Sequence, residues 1–159
     1  MAVYFFDTSA LVKRYATETG SGWVRRITDP KTGNKVYITT ITGVEVVSAL
    51  TRKVRNAEIQ LADAQTFIAD FRIDFQNQYE LFRVTDPVIQ LAMKLPEKYK
   101  LRAYDAIQLA AAMIINDQSN LQGIAVTGVP ALVLVASDKD LLDAAQAEGL
   151  VVDDPEAHP

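Results

Sequence analysis

The chain alternates between short apolar runs and longer segments in which apolar residues recur at helical spacing. The short runs are rich in Val, Ile, Leu, Phe and Tyr, a composition typical of strands that are buried on both faces. Because helical segments separate them, we expect an α/β sandwich in which helices flank a central, mostly parallel sheet. The predicted strands are 2–6, 35–39, 80–84, 131–136 and 150–152.

Helical spacing and helix-end signals place the predicted helices between these strands. Residues 103–115, AYDAIQLAAAMII, are apolar nearly all round, which is typical of a helix at the centre of a fold. Asp86-Pro87 puts a proline in the first turn of a helix, and Gly149 ends another. The remaining predicted helices are 9–15, a short one after 20–23, 41–55, 58–79 as one helix or two, and 139–148.

Length and composition fit a single ordinary domain. The chain has 159 residues and no linker or repeat that would divide it. The absence of cysteine excludes disulfides, thiolate metal sites and a cysteine nucleophile, and it is compatible with the cytoplasmic location that we expect. No apolar stretch reaches the roughly 20 residues that a membrane span needs. The net charge of −4 means that any phosphate-bearing ligand would require something to offset the repulsion.

The only histidine, His158, lies in the C-terminal segment DDPEAHP. We expect residues 153–159 to form a disordered tail. Mechanisms that depend on histidine, such as a Ser-His-Asp triad or a histidine zinc site, are therefore disfavoured. Carboxylates, hydroxyls, lysines and tyrosines remain as the groups available for chemistry.

Four carboxylates stand out by their positions. Asp7 directly follows the first predicted strand, Glu45 lies early in the helix after the second, and Asp138 follows the fourth. Because parallel strands end at the same edge of a sheet, we expect these three residues to share one cleft. Asp105 lies in the apolar segment 103–115, where an unpaired charge would cost on the order of several kcal/mol.

Each of these acids also has a purely structural interpretation. Asp7 and Asp138 are suited to capping the helices that follow them, and Asp105 near a helix start gains from the helix dipole. Thr42 and Glu45 match the S/T-x-x-E capping box. Since four separate caps have no reason to converge on one edge, convergence would favour a shared site.

Four carboxylates in one cleft would repel one another unless a cation lay between them. Mg²⁺ is the expected ion, with Mn²⁺ as the alternative, because hard divalent cations prefer oxygen ligands. Such an ion offsets the repulsion between an acidic site and a phosphodiester, and it lowers the pKa of a bound water. This chemistry would let an acidic protein without a usable histidine cut nucleic acid.

Four segments carry a resemblance to a known family. They are DTSALVKRY (7–15), TTITGVEVVSAL (39–50), LRAYDAIQLAAA (101–112) and ASDKDLLDAA (136–145). In order and approximate spacing they resemble the motifs of PIN-domain nucleases, and most of all those of VapC-type toxins from toxin–antitoxin pairs. The resemblance extends from residue 3 to about residue 152, so we expect a PIN domain over residues 1–152.

The resemblance implies a PIN-like, Rossmann-like three-layer fold and a metal-dependent endoribonuclease. Together with the carboxylate chemistry, it leads to our primary hypothesis, which is Mg²⁺-dependent hydrolysis of a phosphodiester in single-stranded or looped RNA. The family's acidic positions, which would be both catalytic and metal-binding, fall on Asp7, Glu45, Asp105 and Asp138. Its hydroxyl position falls on Ser9 or Thr8, with Ser137 near the last acid. Of these, we expect Ser9 to hold a water or a substrate oxygen.

The resemblance also implies partners. These are an RNA substrate, a second copy of the chain in a homodimer, and a small cognate antitoxin protein that approaches the acidic cleft. Residues 116–130 form a longer connection than the family leads us to expect, and a hairpin or a longer strand would account for it. Lys13-Arg14 and the basic cluster at 52–55 are candidates for phosphate contacts, although solvated helix faces explain them better.

Two other functions are open from the sequence. A PIN-like domain that binds RNA or protein without cutting would share the fold, although all four acids are present. A phosphotransfer domain with a nucleophilic aspartate is a weaker match, because Asp7-Thr8-Ser9 lacks the second acid of a D-x-D motif.

Overall fold

A five-stranded sheet forms the centre of the protein, whose computed structural model describes residues 1–123 and 131–159. The strands lie in the order β3-β2-β1-β4-β5, and each neighbouring pair is parallel. They are β1 (Val3–Phe6), β2 (Lys35–Thr39), β3 (Glu80–Phe82), β4 (Leu132–Val135) and β5 (Val151–Asp153). The five predicted strands are confirmed, and the described sheet is wholly parallel.

Seven α-helices of the described residues connect and cover the strands. They are α1 (Thr8–Tyr15), α2 (Ser21–Ile27), α3 (Thr42–Arg55), α4 (Leu61–Asn77), α5 (Asp86–Ala92), α6 (Ala103–Gly123) and α7 (Lys139–Ala147). Two short 3₁₀ turns lie at Pro30–Thr32 and Pro155–Ala157. None of the helices in the described ranges is long and apolar enough to cross a membrane.

Two of the helices differ from their predicted extents. The segment 58–79 holds the single helix α4, in which Phe71 is buried and Phe67 and Phe75 pack partly against the same core. Helix α6 continues to Gly123 because residues 116–122 contain no glycine or proline that would end it. The first half of the long 116–130 connection is therefore helical, and residues 124–130 lie outside the described residues.

Side chains of the sheet alternate between two apolar layers. In β1, Val3 and Phe5 pack with α5, α6 and α7, whereas Phe6 packs with α1, α2, α3 and α4. In β4, Leu134 belongs to the first layer and Val135 to the second. A strand covered on both faces has to be apolar throughout, which explains why the strand runs show no polar alternation. The three-layer α/β fold is confirmed.

The chain leaves β1, β2 and β4 at the same edge of the sheet, because these strands are parallel neighbours. Asp7 is the N-cap of α1 and accepts a hydrogen bond from the backbone N–H of Ser9 at 2.9 Å. Asp138 is the N-cap of α7 and accepts one from the N–H of Leu141 at 3.1 Å. The capping interpretation is therefore correct for both aspartates, and the same geometry places both at this edge.

The C-terminal segment 153–159 is packed on the domain, which corrects the expectation of a disordered tail. The imidazole of His158 stacks on Trp23 with the ring centroids 4.3 Å apart. Pro155 is buried so close to Gly20 that a Cβ on Gly20 would lie 2.2 Å from the Pro155 carbonyl oxygen. These long-range contacts order a polar segment whose composition alone predicts disorder.

Candidate active site

A cleft of about 610 Å³ opens at the carboxyl edge of the sheet. It is lined by all four acids that the sequence analysis singled out, Asp7, Glu45, Asp105 and Asp138. These residues come from the end of β1, from α3, from the first turn of α6 and from the N-cap of α7. Four elements distant in sequence thus bring carboxylates to one place, which local capping does not require.

Asp7 is the buried member of the set, with 5% of its surface exposed. Its Oδ2 accepts hydrogen bonds from Ser9 N at 2.9 Å and from Ser9 Oγ at 2.6 Å. Ser9 Oγ in turn accepts one from the N–H of Ser137 at 2.9 Å. Ser9 therefore ties the end of β1 to the loop after β4 and fixes the orientation of Asp7. The predicted contact of Ser9 with a water or a substrate oxygen stays a prediction.

Glu45 lies in the first turn of α3 and is held from two other helices. Its Oε2 accepts hydrogen bonds from Thr8 Oγ1 at 2.8 Å and from Gln108 Nε2 at 2.7 Å. Helix α3 begins at Thr42, and its N-cap residue, Ile41, provides no side-chain cap. The capping-box interpretation of Glu45 is wrong, because its carboxylate accepts hydrogen bonds from side chains on α1 and α6 instead.

Gln108 is a site residue that the sequence analysis missed. Its side chain is fully buried on α6. Its Oε1 accepts a hydrogen bond from Thr39 Oγ1 at 3.1 Å, and its Nε2 donates to Thr42 Oγ1 at 3.0 Å as well as to Glu45. Because the amide cannot turn without breaking these buried bonds, it positions Glu45. A polar side chain within the apolar segment 103–115 was the available signal.

Arg102 bridges the other two acids. Its Nε donates to Asp105 Oδ2 at 3.1 Å, and its Nη2 donates to Asp138 Oδ2 at 3.0 Å. Both carboxylates raise the pKa of the guanidinium, with the hydrogen bond to Asp105 as the largest cause. The cation that an acid in an apolar helix requires thus comes from Arg102, the residue just before α6.

The acids repel one another across the cleft. Burial raises the pKa of Glu45, the hydrogen bond from Thr8 lowers it, and the charges of Asp7 and Asp105 raise it. Burial also raises the pKa of Asp7, against the hydrogen bonds from Ser9, and the charge of Asp105 adds to the rise. Both shifts mean that negative charge is less favourable here than in water, so the cleft favours a cation.

The sequence matches one family over most of its length. The match to the PIN domain covers residues 4–147. The chain belongs to the PIN domain family. Its relatives include Ribonuclease VapC45 of Mycobacterium tuberculosis (strain CDC 1551 / Oshkosh), which is 32% identical over 152 residues that cover 94% of this chain and 93% of the relative.

Solved structures share the PIN domain architecture. A toxin–antitoxin complex from Klebsiella pneumoniae contains a chain that superimposes with a TM-score of 0.62 at 18% identity, over 96% of this chain and 97% of that one. The Mycobacterium tuberculosis toxin VapC20 superimposes with a TM-score of 0.57 at 17% identity, over 93% and 96% of the two chains. The PIN-like fold expected from the motifs is therefore confirmed.

Nucleases of the PIN domain family generally depend on a divalent metal, and the cleft suits one in its chemistry and charge. All four acids are oxygen donors, and Arg102 shows that a cation is accommodated between Asp105 and Asp138. Among residues 1–123 and 131–159, no group of three acidic or histidine side chains already stands in a metal-binding arrangement. A shared ion would therefore draw the carboxylates closer together than they lie here.

Basic residues also reach this cleft of the PIN domain. Arg52, which is exposed, and Lys53 line it, and the Nζ of Lys53 pairs with Glu18. Lys13 is only 2% exposed, and its Nζ lies 3.3 Å from Glu18 Oε2 and 3.2 Å from Glu156 Oε1. The buried ammonium group of Lys13 is thus already paired with two glutamates, so Arg52 is the better placed candidate for a phosphate contact.

Proposed function

We propose that this PIN domain is a Mg²⁺-dependent endoribonuclease, the toxin of a toxin–antitoxin pair. The observation that carries the proposal is the single cleft to which four separate elements bring a carboxylate. Family membership and relatives named Ribonuclease VapC support the activity. The proposed catalytic and metal-binding residues are Asp7, Glu45, Asp105 and Asp138, with Ser9 in support.

The proposed reaction is hydrolysis of an RNA phosphodiester. When bound, one or two Mg²⁺ or Mn²⁺ ions would offset the charge of the phosphate, activate the attacking water and stabilise the leaving oxygen. Water adds to phosphorus, the bond to the 3′ oxygen breaks, and that oxygen takes a proton, so the products carry a 5′-phosphate and a 3′-hydroxyl.

The chain's own contribution is to hold the carboxylates in place. Ser9 fixes Asp7 through two hydrogen bonds to Oδ2. Thr8 and Gln108 both bind Oε2 of Glu45, so the carboxylate is oriented before any ligand arrives. These hydrogen bonds limit the reorganisation that Asp7 and Glu45 undergo when a ligand binds, which favours charge stabilisation at the site.

Exposed side chains beside the acids suit an unpaired RNA strand. Tyr104 and Val44, which are 59% and 74% exposed, line the same cleft. An aromatic ring stacks on any base, but the base has to be unpaired to reach it. Arg52 adds an exposed positive charge for the phosphate backbone. We therefore expect a single-stranded or looped substrate.

Solved neighbours support the proposal for partners. One neighbour belongs to a toxin–antitoxin complex, and VapC20 is a toxin that cleaves the sarcin–ricin loop. We infer that a separate antitoxin chain binds this protein, that the toxin forms a homodimer, and that the pair acts in the cytoplasm. Co-expression with the protein encoded by the adjacent reading frame, followed by copurification, tests the antitoxin.

The activity is tested by incubating the purified protein with end-labelled unpaired and hairpin RNAs in Mg²⁺, in Mn²⁺ and in EDTA. We expect cleavage only with the ions, and products that carry a 5′-phosphate. Asp105→Asn should lower the rate by more than the roughly 10–100-fold typical of residues that merely support a metal ligand. The matched control is Asp143→Asn on α7, whose side chain pairs with Lys139 and does not line the cleft.

Two outcomes would contradict the proposal. Asp105→Asn that cuts RNA at the wild-type rate would show that the acidic cleft is not the active site. A protein that binds RNA with either ion but never cuts it would favour the alternative of a PIN-like binding module.

A further inference from the structure

One guanidinium joins two of the proposed metal ligands. Arg102 lies just before α6 and reaches Asp105 Oδ2 at 3.1 Å and Asp138 Oδ2 at 3.0 Å. The two carboxylates belong to different elements, the first turn of α6 and the N-cap of α7. Arg102 therefore occupies the space between them with the same sign of charge that a metal ion would bring.

We propose that Arg102 is a positioning residue that competes with the divalent cation for Asp105 and Asp138. Without metal, the guanidinium neutralises the repulsion between the two carboxylates. Binding of the cation to these carboxylates releases the guanidinium from at least one of them. The inference rests on the metal site of the proposed function.

The exposed fractions of the three side chains indicate that Arg102, rather than either acid, moves away when the cation binds. Its side chain is 80% exposed, whereas the side chains of Asp105 and Asp138 are 15% and 26% exposed. Asp138 is also held by the N–H of Leu141 at 3.1 Å. The two acids are therefore less exposed than the arginine, and Asp138 keeps a backbone hydrogen bond when the guanidinium leaves. Exposed ion pairs are weak, so a divalent ion with twice the charge displaces the guanidinium at little cost.

A released guanidinium is useful to the reaction. It remains charged at any physiological pH, because the pKa of arginine lies far above that range. Its planar fork of donors matches a phosphate as well as a carboxylate. Metal binding would in this way free a phosphate-binding side chain at the cleft at the same time as it completes the ligand set.

The test is titration of the metal-free protein with Mn²⁺ in the absence of RNA, with free Mn²⁺ followed by electron paramagnetic resonance. Arg102→Ala should bind Mn²⁺ about five- to tenfold more tightly than the wild type, the size expected for losing two weak competing ion pairs. Arg102→Gln, which keeps the length and polarity of the side chain without its charge, should also bind more tightly.

The matched control is Lys100→Ala. Lys100 is two residues away and 90% exposed, and its Nζ pairs with Asp140 at 3.0 Å rather than with Asp105 or Asp138. Lys100→Ala also removes one positive charge but leaves the Arg102 guanidinium in place. The Mn²⁺ affinity of this variant should therefore stay within about twofold of the wild type. Equal tightening in Lys100→Ala and Arg102→Ala, or unchanged or weaker binding in Arg102→Ala, would overturn the competition.

A third variant separates this inference from the proposed function. If Asp7→Asn binds Mn²⁺ as tightly as the wild type, the proposed metal site itself is wrong. If Asp7→Asn loses Mn²⁺ binding while Arg102→Ala matches the wild type, the metal site stands and the competition is wrong.

Discussion

Replacing Asp7 by asparagine should abolish RNA cleavage without a loss of stability in EDTA at pH 7. Asp7 is 5% exposed, and burial followed by the charge of Asp105 raises its pKa against the hydrogen bonds from Ser9. Asparagine keeps the N-cap of α1, because its Oδ1 accepts the bond that Ser9 N donates at 2.9 Å. The substitution therefore removes a buried negative charge and retains its structural contact.

The expected differences in the free energy of unfolding follow from the N-cap and from metal binding. Loss of an N-cap costs about 0.5–2 kcal/mol, so Asp7→Ala should be less stable than Asp7→Asn by about 1 kcal/mol. A ligand present at 100 times its Kd stabilises the protein that binds it by about 2.7 kcal/mol. Since only the wild type carries the Asp7 carboxylate, saturating Mg²⁺ should make the wild type the more stable protein.

The comparison in EDTA also depends on pH. A pKa that is raised in the folded state means that the folded protein retains a proton which the unfolded chain has released. The stability contributed by Asp7 is therefore fully present below its unfolded pKa of about 3.9 and is lost as the pH rises through the folded-state pKa. The advantage of Asp7→Asn should grow as the pH rises from about 4 towards neutrality.

Urea unfolding followed by circular dichroism, in EDTA and in Mg²⁺, measures these differences. Asp143→Asn, which changes an exposed acid outside the cleft, should respond to Mg²⁺ as the wild type does. If Asp7→Asn were less stable than the wild type by more than about 1 kcal/mol in EDTA, the idea that the buried charge of Asp7 destabilises the folded protein would be wrong. If Mg²⁺ stabilised both proteins equally, Asp7 would not be a metal ligand.

Two further variants test the tail and the support of the cleft. Gly20→Ala should lower the free energy of unfolding by at least about 2 kcal/mol, because it places a Cβ 2.2 Å from the Pro155 carbonyl oxygen at a φ of +84°. In urea unfolding, the control Gly33→Ala, with a φ of +68° and open space, should lose only about 1 kcal/mol; equal losses would contradict the tail contact. Gln108→Leu should weaken Mn²⁺ binding about 10- to 100-fold in calorimetric titration, because Glu45 loses the donor at 2.7 Å. Unchanged affinity in a folded variant would show that Gln108 does not position Glu45.

The sheet and the meeting of the acids were predictable because they depend on simple periodic patterns. Apolar runs without alternation require strands covered on both faces, and parallel strands require that Asp7 and Asp138 leave the sheet at one edge. These two features of the sheet locate the cleft without knowledge of any side-chain position. Capping a helix and lining the shared cleft were not alternatives for these two residues, since the structure shows both.

Other features were hidden because they depend on contacts between distant residues. Thr42 and Glu45 match a local capping motif, yet the hydrogen-bond donors to the Glu45 carboxylate lie on α1 and α6. Gln108 is polar in an apolar helix, but only its three partners reveal what it does. The tail is polar in composition, and its order comes from the stack of His158 on Trp23.

The central place of β1 has a consequence for how activity arises during folding. β1 pairs with β2 on one side and with β4 on the other, where Val3 is opposite Leu132. Pairings over such long sequence separations have a high contact order, and their loops are slow to close. In a partly folded chain, the four acids of the cleft would lie on segments that have not yet come together. Ribonuclease activity should therefore appear abruptly, together with the last cooperative folding step.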